Sequence, residues 1–249
     1  MLVLLPPSQS KATGGRPAPL DLPSLSFPGL TPVRRRLVAA LVTATQDRPA
    51  LTRALGLGAT QHGELDSCAD LLTGPTMAAL RRYTGVLYDA VDYPTLDPPA
   101  RRRADRSLVV ASALFGLVRP RDFIPAYRLS GDTTLPGLGR LGPVWRPALV
   151  AELTAVRGLV VDLRSGAYAA LAPLPGAVQV RVLRENRDTD GNLVRSVVSH
   201  DNKHTKGLLA RALCESGART PADVAEVARP LAHAIETDGT RLDLVLRTW

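Results

Sequence analysis

Lysine is the residue type that most clearly points to chemistry in this chain. The sequence has 31 lysines and arginines, of which only Lys11, Lys203 and Lys206 are lysines. A buried lysine can lose its proton, and the neutral amine can then act as a base or a Schiff-base nucleophile, which arginine cannot do. The alternative interpretation is that these are ordinary solvated lysines. Gly207 follows at the expected start of a helix, where free backbone N–H groups also favour anions.

A second group of candidate residues follows an apolar run that ends at Gly116. Arg119, Asp122, Tyr127 and Arg128 lie within ten residues of one another. The run before them is rich in strand formers and predicts a buried strand that ends at the glycine. Crowded charge beside a buried strand is typical of a binding site. The arginines would bind an anion, and Asp122 and Tyr127 would orient them.

The charge balance favours an anionic partner. The net charge is +8 and the isoelectric point is near 10.2, which fits nucleic acid, a nucleotide or an anionic membrane surface. Between Arg101 and Arg146 there are nine arginines against three aspartates. An ordinary solvated surface is the alternative. Aromatic residues make up 4% of the chain, which argues against a single-strand binder that stacks bases and favours duplex DNA or phosphate.

Apolar periodicity and helix start signals predict a mixture of helices and strands. Strands are expected at 1–5, 108–115, 159–163 and 241–247. A hairpin is expected from 178–184 and 193–200 around Asp190-Gly191-Asn192, and a short strand or turn at 83–88. Helices are expected at 50–55, 77–82, 144–156, 165–171 and 205–215, and from Thr31 and Thr220. Without a linker or repeat, this pattern predicts a single domain over 1–249 of the α+β class, with a mixed, largely antiparallel sheet surrounded by helices.

Several segments resemble the motifs of the YaaA peroxide-stress protein family, in the family's order and over most of the chain. Leu4 to Lys11 is similar to its first strand and S-P-A-K-like loop, and Tyr83 to Tyr88 to its G-D-V-Y stretch. Ala111 to Leu129 resembles its LSGLYG-like, L-R-P-x-D and Y-R-L elements. Val160 to Tyr168 resembles its N-L-A-S-x-E-Y segment, and Asn202 to Gly207 its A-K-x-A-R-G element.

The chain departs from the family pattern at several positions. Lys206 stands where arginine is usual, Asp162 where asparagine is common, and Ala167 where a glutamate is common. The usual G-Y-x-F ending is replaced by Gly239-Thr240-Arg241-Leu242. These differences indicate a divergent member.

The resemblance implies a compact α+β fold with a positively charged cleft, DNA binding and a role in limiting oxidative damage, but no established reaction. It also implies a helix-hairpin-helix-like element, for which Leu55 to Gly58 is the candidate hairpin; a helix C-cap at Gly56 is the alternative. Our leading hypothesis is a cleft that contacts duplex DNA phosphates with little base readout. Its binding residues would be Lys11, Arg119, Arg128, Lys203 and Lys206, supported by Ser8, Ser10, Asp122, Tyr127 and Gly207.

Two other classes of function stay open. One is an enzyme acting on a nucleobase, nucleoside or nucleotide, by N-glycosidic cleavage or a lyase reaction, with Lys206, Lys203 and Asp122 as candidate catalytic residues. The other is a structural or interaction domain in which Arg119, Asp122 and Arg128 form an exposed salt-bridge network. No metal, cofactor, membrane association or obligate protein partner is predicted. Two unpaired cysteines and the lack of a signal sequence or long apolar run predict a cytoplasmic location.

Overall fold

The computed structural model of the chain describes residues 1–58, 60–61, 63–187, 192–197 and 199–247. The strands are β1 Leu2–Leu5, β2 Thr76–Ala78, β3 Leu108–Ser112, β4 Gly116–Val118, β5 Phe123–Pro125, β6 Thr134–Leu135, β7 Gly139–Arg140, β8 Val160–Asp162, β9 Val178–Arg187, β10 Leu193–Ser196, β11 Ala234–Asp238 and β12 Arg241–Arg247. The helices are α1 Thr31–Ala44, α2 Arg48–Leu55, α3 Gly63–Ala69, α4 Ala79–Arg82, α5 Val86–Val91, α6 Pro98–Ser107, α7 Leu141–Thr154, α8 Gly166–Ala169, α9 Ser199–Ser216 and α10 Pro221–Ala228.

The main sheet has the strand order β11-β12-β9-β8-β1-β3-β4, and β10 also pairs with β9. Its central strands, from β12 to β3, run parallel. The antiparallel strands β11, β4 and β10 lie at its margins. β1 and β3 are buried along their whole length, as expected for parallel strands covered on both faces.

The predicted α+β class with a mixed sheet and surrounding helices is confirmed. The balance of strand directions differs from the expectation, because antiparallel pairing is confined to the margins of the main sheet and to the pairs β2–β5 and β6–β7. Parallel strands need long crossover connections, and the helix-rich segments between β1, β3, β8 and β9 supply them. The predicted hairpin is formed by β9 and β10, and positions 190 and 191 of its turn lie outside the described residues.

Some element boundaries differ from the sequence predictions. The strand expected to end at Gly116 ends at Ser112, and Gly116 begins the returning strand β4. The Ser112 hydroxyl accepts hydrogen bonds from the Leu114 and Phe115 N–H groups and so closes a tight turn. Gly116 has φ +72°, and a Cβ there would lie 2.8 Å from the Trp145 ring, so turn geometry and packing both require glycine.

Three other predicted elements have different bounds. The helix expected at 205–215 begins at Ser199, six residues earlier. The segment expected to be helical from Met77 begins as β2, which pairs with β5, before α4 starts. The segment 83–88, expected to be a short strand or turn, enters helix α5 at Val86. Among the described residues, no helix combines the length and apolar character needed to cross a membrane.

Candidate functional site

The carboxyl ends of β1, β3 and β8 meet at one edge of the sheet. The chain passes from β1 to β3 on one side and later returns to β8 on the other side of β1. Such a reversal of strand order leaves a crevice at the carboxyl ends of parallel strands, which is where α/β proteins commonly bind ligands. Three segments extend from this edge: Pro6 to Lys11 after β1, Ser112 at the end of β3, and Asp162 to Arg164 at the end of β8.

Arg82 holds the loop that carries Lys11. This buried arginine donates hydrogen bonds to the carbonyl oxygens of Ala12 and Gly14, and its own carbonyl accepts from the Ala12 N–H. Thr84 N–H donates to the Ser8 hydroxyl at 3.1 Å and lies 3.4 Å from the Ser10 carbonyl oxygen. The predicted supporting residues Ser8 and Ser10 therefore fix the loop to the segment after α4.

The Lys11 amine lies against two aromatic rings. Its Nζ is 4.2 Å from the centroid of the Tyr127 ring and 5.6 Å from that of Tyr83. It donates to the carbonyl oxygens of Ser8 at 3.1 Å and Gln9 at 3.0 Å. Burial is the main cause that lowers the pKa of Lys11 to about 7, and the nearby Arg128 charge adds to this effect while Glu64 opposes it. Near neutral pH the amine is therefore divided between its neutral and protonated forms.

Arg128 lies beside Lys11. Its Nη2 donates to Gln9 Oε1 at 3.0 Å, and its Nη1 lies 3.9 Å from Glu64 Oε1. Its backbone N–H points to the Cys68 sulfur at 3.4 Å. The structure thus brings Lys11 and Arg128 together around Gln9, so that two cationic groups face one small region.

Hydroxyl groups form a chain beneath this pair. Tyr127 Oη lies 2.7 Å from Ser112 Oγ and 2.8 Å from Tyr83 Oη. Because Ser112 Oγ already accepts two backbone N–H bonds, its own proton is directed to Tyr127, which leaves the Tyr127 proton for Tyr83. Burial raises the pKa of Tyr83 to about 12, so the chain consists of neutral hydroxyls. Tyr127 therefore supports Lys11 with its ring and the end of β3 with its hydroxyl.

Lys206 is buried at the end of β8. Its Nζ lies 3.4 Å from the Arg164 carbonyl oxygen, and only 6% of the residue is exposed. Burial is the main cause that lowers the pKa of Lys206 to about 8, opposed by the Asp162 carboxylate. That carboxylate is engaged by the Arg164 guanidinium in two bonds of 2.9 and 2.8 Å. Lys206 is therefore a second buried amine at the same sheet edge.

Arg119 and Asp122 lie elsewhere. The Arg119 guanidinium donates to the Arg106 carbonyl oxygen and lies over the Phe27 ring. Asp122 accepts from the Arg119 backbone N–H and from the N–H and hydroxyl of Ser26. In the described structure Asp122 thus closes a turn and orients no guanidinium, contrary to its expected supporting role. The described side chains of Arg119, Asp122 and Arg128 also do not form the exposed salt-bridge network that was the alternative prediction.

Lys203 and Gly207 occupy α9 and not a helix N-terminus. Lys203 is exposed on the helix surface. A Cβ at Gly207 would lie 2.3 Å from the Leu87 carbonyl oxygen and 2.7 Å from Ala90 Cβ, so Gly207 allows α9 to pack closely against α5. Because α9 begins at Ser199, the N–H of Gly207 lies within the helix and is not a free donor for an anion.

The candidate DNA-binding hairpin at Leu55 to Gly58 is a helix C-cap. Gly56 adopts φ 60°, and its N–H donates to the Arg53 carbonyl oxygen. The next N–H groups are engaged as well: Leu57 donates to the Thr52 carbonyl oxygen and Gly58 to Gln61 Oε1. With these donors satisfied within the chain, the resemblance to a phosphate-binding hairpin is not supported, and the alternative of a C-cap is confirmed.

A pocket of about 620 Å³ between α6 and the segment around β5 gathers arginines that the site hypothesis did not include. Four of its lining residues are Arg81, Arg101, Arg102 and Arg121, all exposed. We call these four residues the arginine groove. Asp105 is the acidic lining residue, 3.8 Å from Arg121. Among the described residues, Arg81 and Arg102 have no carboxylate within salt-bridge distance. The excess of arginine between Arg101 and Arg146 is the sequence feature that could have indicated this surface.

Aromatic rings in and beside the arginine groove are covered by guanidinium groups. The Arg101 guanidinium lies 5.8 Å from the centroid of Tyr93, and that of Arg16 lies 3.6 Å from the centroid of Phe123. Arg16 lines an adjoining pocket that shares Arg81 and Phe123 with the first. The basic surface therefore continues from α6 towards the loop after Lys11.

These features define an α+β protein with two lysines of lowered pKa, Lys11 and Lys206, at the carboxyl edge of a mainly parallel core and a separate arginine-lined groove. The family model described as peroxide stress protein YaaA matches residues 1–231. Similar proteins include a UPF0246 protein of Corynebacterium efficiens, 46% identical over 97% of both chains, and one of Streptomyces coelicolor, 45% identical over 96% of this chain and 93% of the relative. The chain belongs to the YaaA peroxide stress protein family.

Proposed function

We propose that this protein limits oxidative damage by binding DNA, and that the arginine groove contacts the phosphates. The observation that carries the proposal is the pocket between α6 and β5, where four exposed arginines face a single lining carboxylate. Membership of a peroxide-stress family supports the physiological setting. Clustered arginines are suited to phosphate because the guanidinium binds two oxygens at once and keeps its charge.

The two cysteines argue against peroxide reduction as the activity. The thiolate is the form of cysteine that reacts with peroxide. Cys68 and Cys214 are buried, and burial raises the pKa of Cys68 to about 11 and that of Cys214 to about 12. A buried, protonated thiol reacts slowly, so protection of a target fits this chain better than removal of the oxidant.

Duplex DNA is the preferred partner because the groove offers charge without free stacking surfaces. Single-strand binders stack bases on aromatic rings, but Tyr93 and Phe123 are already covered by Arg101 and Arg16. Arginines that contact phosphates position a protein on DNA without reading base edges. We therefore expect binding with little sequence preference.

Fluorescence anisotropy with a labelled DNA duplex tests this function. Replacing Arg81 and Arg102 together by alanine removes two exposed guanidinium groups that lack a carboxylate partner among the described residues, so little structure depends on them. The matched control replaces Arg35 and Arg36, two exposed arginines of α1, and removes the same charge. We expect the groove variant to bind several-fold more weakly than the control variant. Equal affinity of the two variants would contradict the assignment of the groove.

The same assay tests the binding residues proposed from the sequence. Two further variants are measured: one replaces Lys203 and Lys206 together by alanine, and the other replaces Arg119 alone. They report whether these positions contact DNA outside the groove. The proposal expects a smaller loss than in the groove variant, since Lys206 is buried and Arg119 lies over Phe27. A loss as large as in the groove variant would move the binding surface towards α9 or the Arg119 turn.

An enzyme acting on a nucleobase, nucleoside or nucleotide is the second candidate function. Lys206 favours it, because a buried amine with a pKa of about 8 at the carboxyl edge of parallel strands can act as a base. The other catalytic candidates support it less, because Lys203 is exposed and Asp122 closes a turn. Incubation with a panel of nucleosides and nucleotides tests it by chromatography: product that disappears in Lys206→Met would support this function, and no product from any substrate would contradict it.

A further inference from the structure

We propose that Lys11 is a carbonyl-reactive amine that forms a Schiff base with a small anionic aldehyde or ketone, whose negative group Arg128 binds. This site is separate from the arginine groove and does not rest on DNA binding. The proposal stands on a cluster of groups at the carboxyl edge of β1 and β3, where a lysine amine, an arginine and a chain of hydroxyls come together. The sequence analysis placed Lys11 among the DNA-binding residues and not among the candidate catalytic residues Lys206, Lys203 and Asp122.

The geometry of the cluster suits a nucleophilic amine. Lys11 Nζ lies over the Tyr127 ring at 4.2 Å and within 3.1 Å of two backbone carbonyl oxygens. No carboxylate lies within salt-bridge distance of it among the described residues, since Glu64 is directed at Arg128. Lys11 is partly exposed, so a small molecule can reach it. The amine is thus held in place without the ion pair that would keep it protonated.

Arg128 supplies the selectivity for an anion. Its guanidinium is mostly buried, with 13% of the side chain exposed, and it reaches Gln9 Oε1 while Lys11 reaches the Gln9 carbonyl oxygen. The Lys11 amine and the Arg128 guanidinium therefore flank the same residue. A substrate carboxylate or phosphate that pairs with Arg128 would bring its carbonyl carbon towards Lys11. The 3.9 Å separation between Arg128 and Glu64 leaves that guanidinium less than fully engaged.

The reaction balances without an added oxidant or reductant. The lone pair of the neutral Lys11 amine attacks the carbonyl carbon, the carbonyl π electrons move to oxygen, and one N–H proton passes from nitrogen to that oxygen to give the carbinolamine. The nitrogen lone pair then forms the C=N bond and expels hydroxide, which takes the second N–H proton and leaves as water, so that one imine and one water are formed from the amine and the carbonyl compound. This chemistry requires the amine to be neutral before attack.

Burial supports the neutral amine by lowering the pKa of Lys11 to about 7. The charged and titratable groups that face it come from several elements: Glu64 and Cys68 from α3, Arg82 from α4, Tyr83 after it, and Tyr127 and Arg128 after β5. Of these, Arg128 and Arg82 favour the neutral amine, whereas Glu64 favours the ammonium. An ordinary lysine with a pKa near 10.4 has about a thousandfold smaller neutral fraction at pH 7.

Reductive trapping tests the proposal directly. The full chain is incubated with glyoxylate and sodium cyanoborohydride at pH 7, and the adducts are assigned by peptide mass spectrometry. Only three lysines and the amino terminus can react, so each site is resolved, and the exposed Lys203 is an internal comparison. We expect about tenfold or more adduct on Lys11 relative to Lys203, with a midpoint near pH 7. More adduct on Lys203 than on Lys11 would overturn the proposal.

Two variants separate reactivity from structure. Lys11→Arg keeps the charge and should fold with an unchanged circular dichroism spectrum while losing the dominant adduct. Arg128→Gln should reduce trapping of glyoxylate by Lys11 several-fold and leave trapping of the neutral acetaldehyde nearly unchanged. An equal loss with both aldehydes would show that Arg128 serves only the structure of the loop and would overturn the assigned anion selectivity. DNA binding is measured in parallel, and because Lys11 and Arg128 are also DNA-binding candidates from the sequence, only the trapping results decide this proposal.

Discussion

Lys11 Nζ and the Tyr127 ring centroid are 4.2 Å apart, although the two residues are more than a hundred positions apart in sequence. Tyr127 makes two kinds of contact, because its ring faces the Lys11 amine while its hydroxyl bonds Ser112 and Tyr83. The loop after β1 and the end of β3 are therefore joined through one side chain. This contact fixes the position of Lys11 relative to the sheet.

Removing only the hydroxyl separates these two roles. In Tyr127→Phe the ring remains for Lys11, but the Ser112 hydroxyl loses its acceptor within the buried chain. We expect the free energy of unfolding to fall by about 1–3 kcal/mol, measured by urea denaturation, while trapping of Lys11 by glyoxylate changes little. An unfolding free energy equal to that of the unmodified chain would mean that the hydroxyl chain contributes nothing.

The buried amines make stability depend on pH in a defined direction. Lys11 and Lys206 have folded-state pKa values of about 7 and 8, below the 10.5 of an unfolded lysine. The unfolded state therefore binds more protons above pH 7, and the free energy of unfolding rises with pH. We predict that the free energy of unfolding rises between pH 7 and pH 9. At higher pH the cysteine thiols, whose pKa values are raised in the folded protein, act in the opposite direction. In Lys11→Met the free energy of unfolding, measured by urea denaturation, should rise less over this pH range. An equal or steeper rise would contradict the lowered pKa of Lys11.

How far the sequence could predict the site depends on the residue. The scarcity of lysine singled out Lys11 and Lys206, and both are amines with lowered pKa values at the edge of the sheet. It could not separate them from the exposed Lys203, because the burial of Lys206 depends on how α9 packs against β9 and α5. The charged segment after Gly116 was expected to face one cleft, but its backbone turn sends Arg119 to Phe27 and Arg128 to Lys11.

The fold was predictable in its class and in its most apolar elements. β1, β3, β8 and β12 are short apolar segments, and each was expected as a strand. Their parallel order could not be predicted, because pairing between distant segments leaves no local pattern. Gly207 illustrates the same limit: it was interpreted as part of an anion site, whereas its lack of a side chain serves the contact with Leu87 and Ala90.

Because α9 packs closely against α5 at Gly207, we expect Gly207→Ala to lower stability, opposite to the usual effect of this substitution in a helix. Alanine in place of glycine normally stabilises a helix by about 0.4–1 kcal/mol, but here the new methyl group would lie 2.3 Å from the Leu87 carbonyl oxygen. We expect Gly207→Ala to destabilise the protein by about 1–3 kcal/mol in thermal denaturation. The control is Gly142→Ala in α7, where a Cβ meets nothing within 4 Å. If both substitutions were neutral or stabilising, α9 would not pack as described.

The ion pair of Asp162 and Arg164 explains one departure from the family pattern. Both side chains are buried, with 5% and 1% exposed, so neutralising Asp162 leaves the guanidinium without its counter-charge. We predict that Asp162→Asn lowers the free energy of unfolding by about 3 kcal/mol or more, measured by urea denaturation. The exposed Asp66, which pairs with Arg48, offers the control, and Asp66→Asn should cost about 1 kcal/mol or less. Equal effects of the two substitutions would contradict this role.

The salt dependence of duplex binding tests the central claim, that the arginine groove contacts DNA phosphates. Each phosphate contact contributes about −0.9 to the slope of log affinity against log salt. We predict that replacing Arg81 and Arg102 together by alanine makes this slope about 1.8 less steep than in the unmodified chain, whereas replacing Arg35 and Arg36 leaves it unchanged. An unchanged slope in the groove variant, or an equal change in both variants, would contradict the claim.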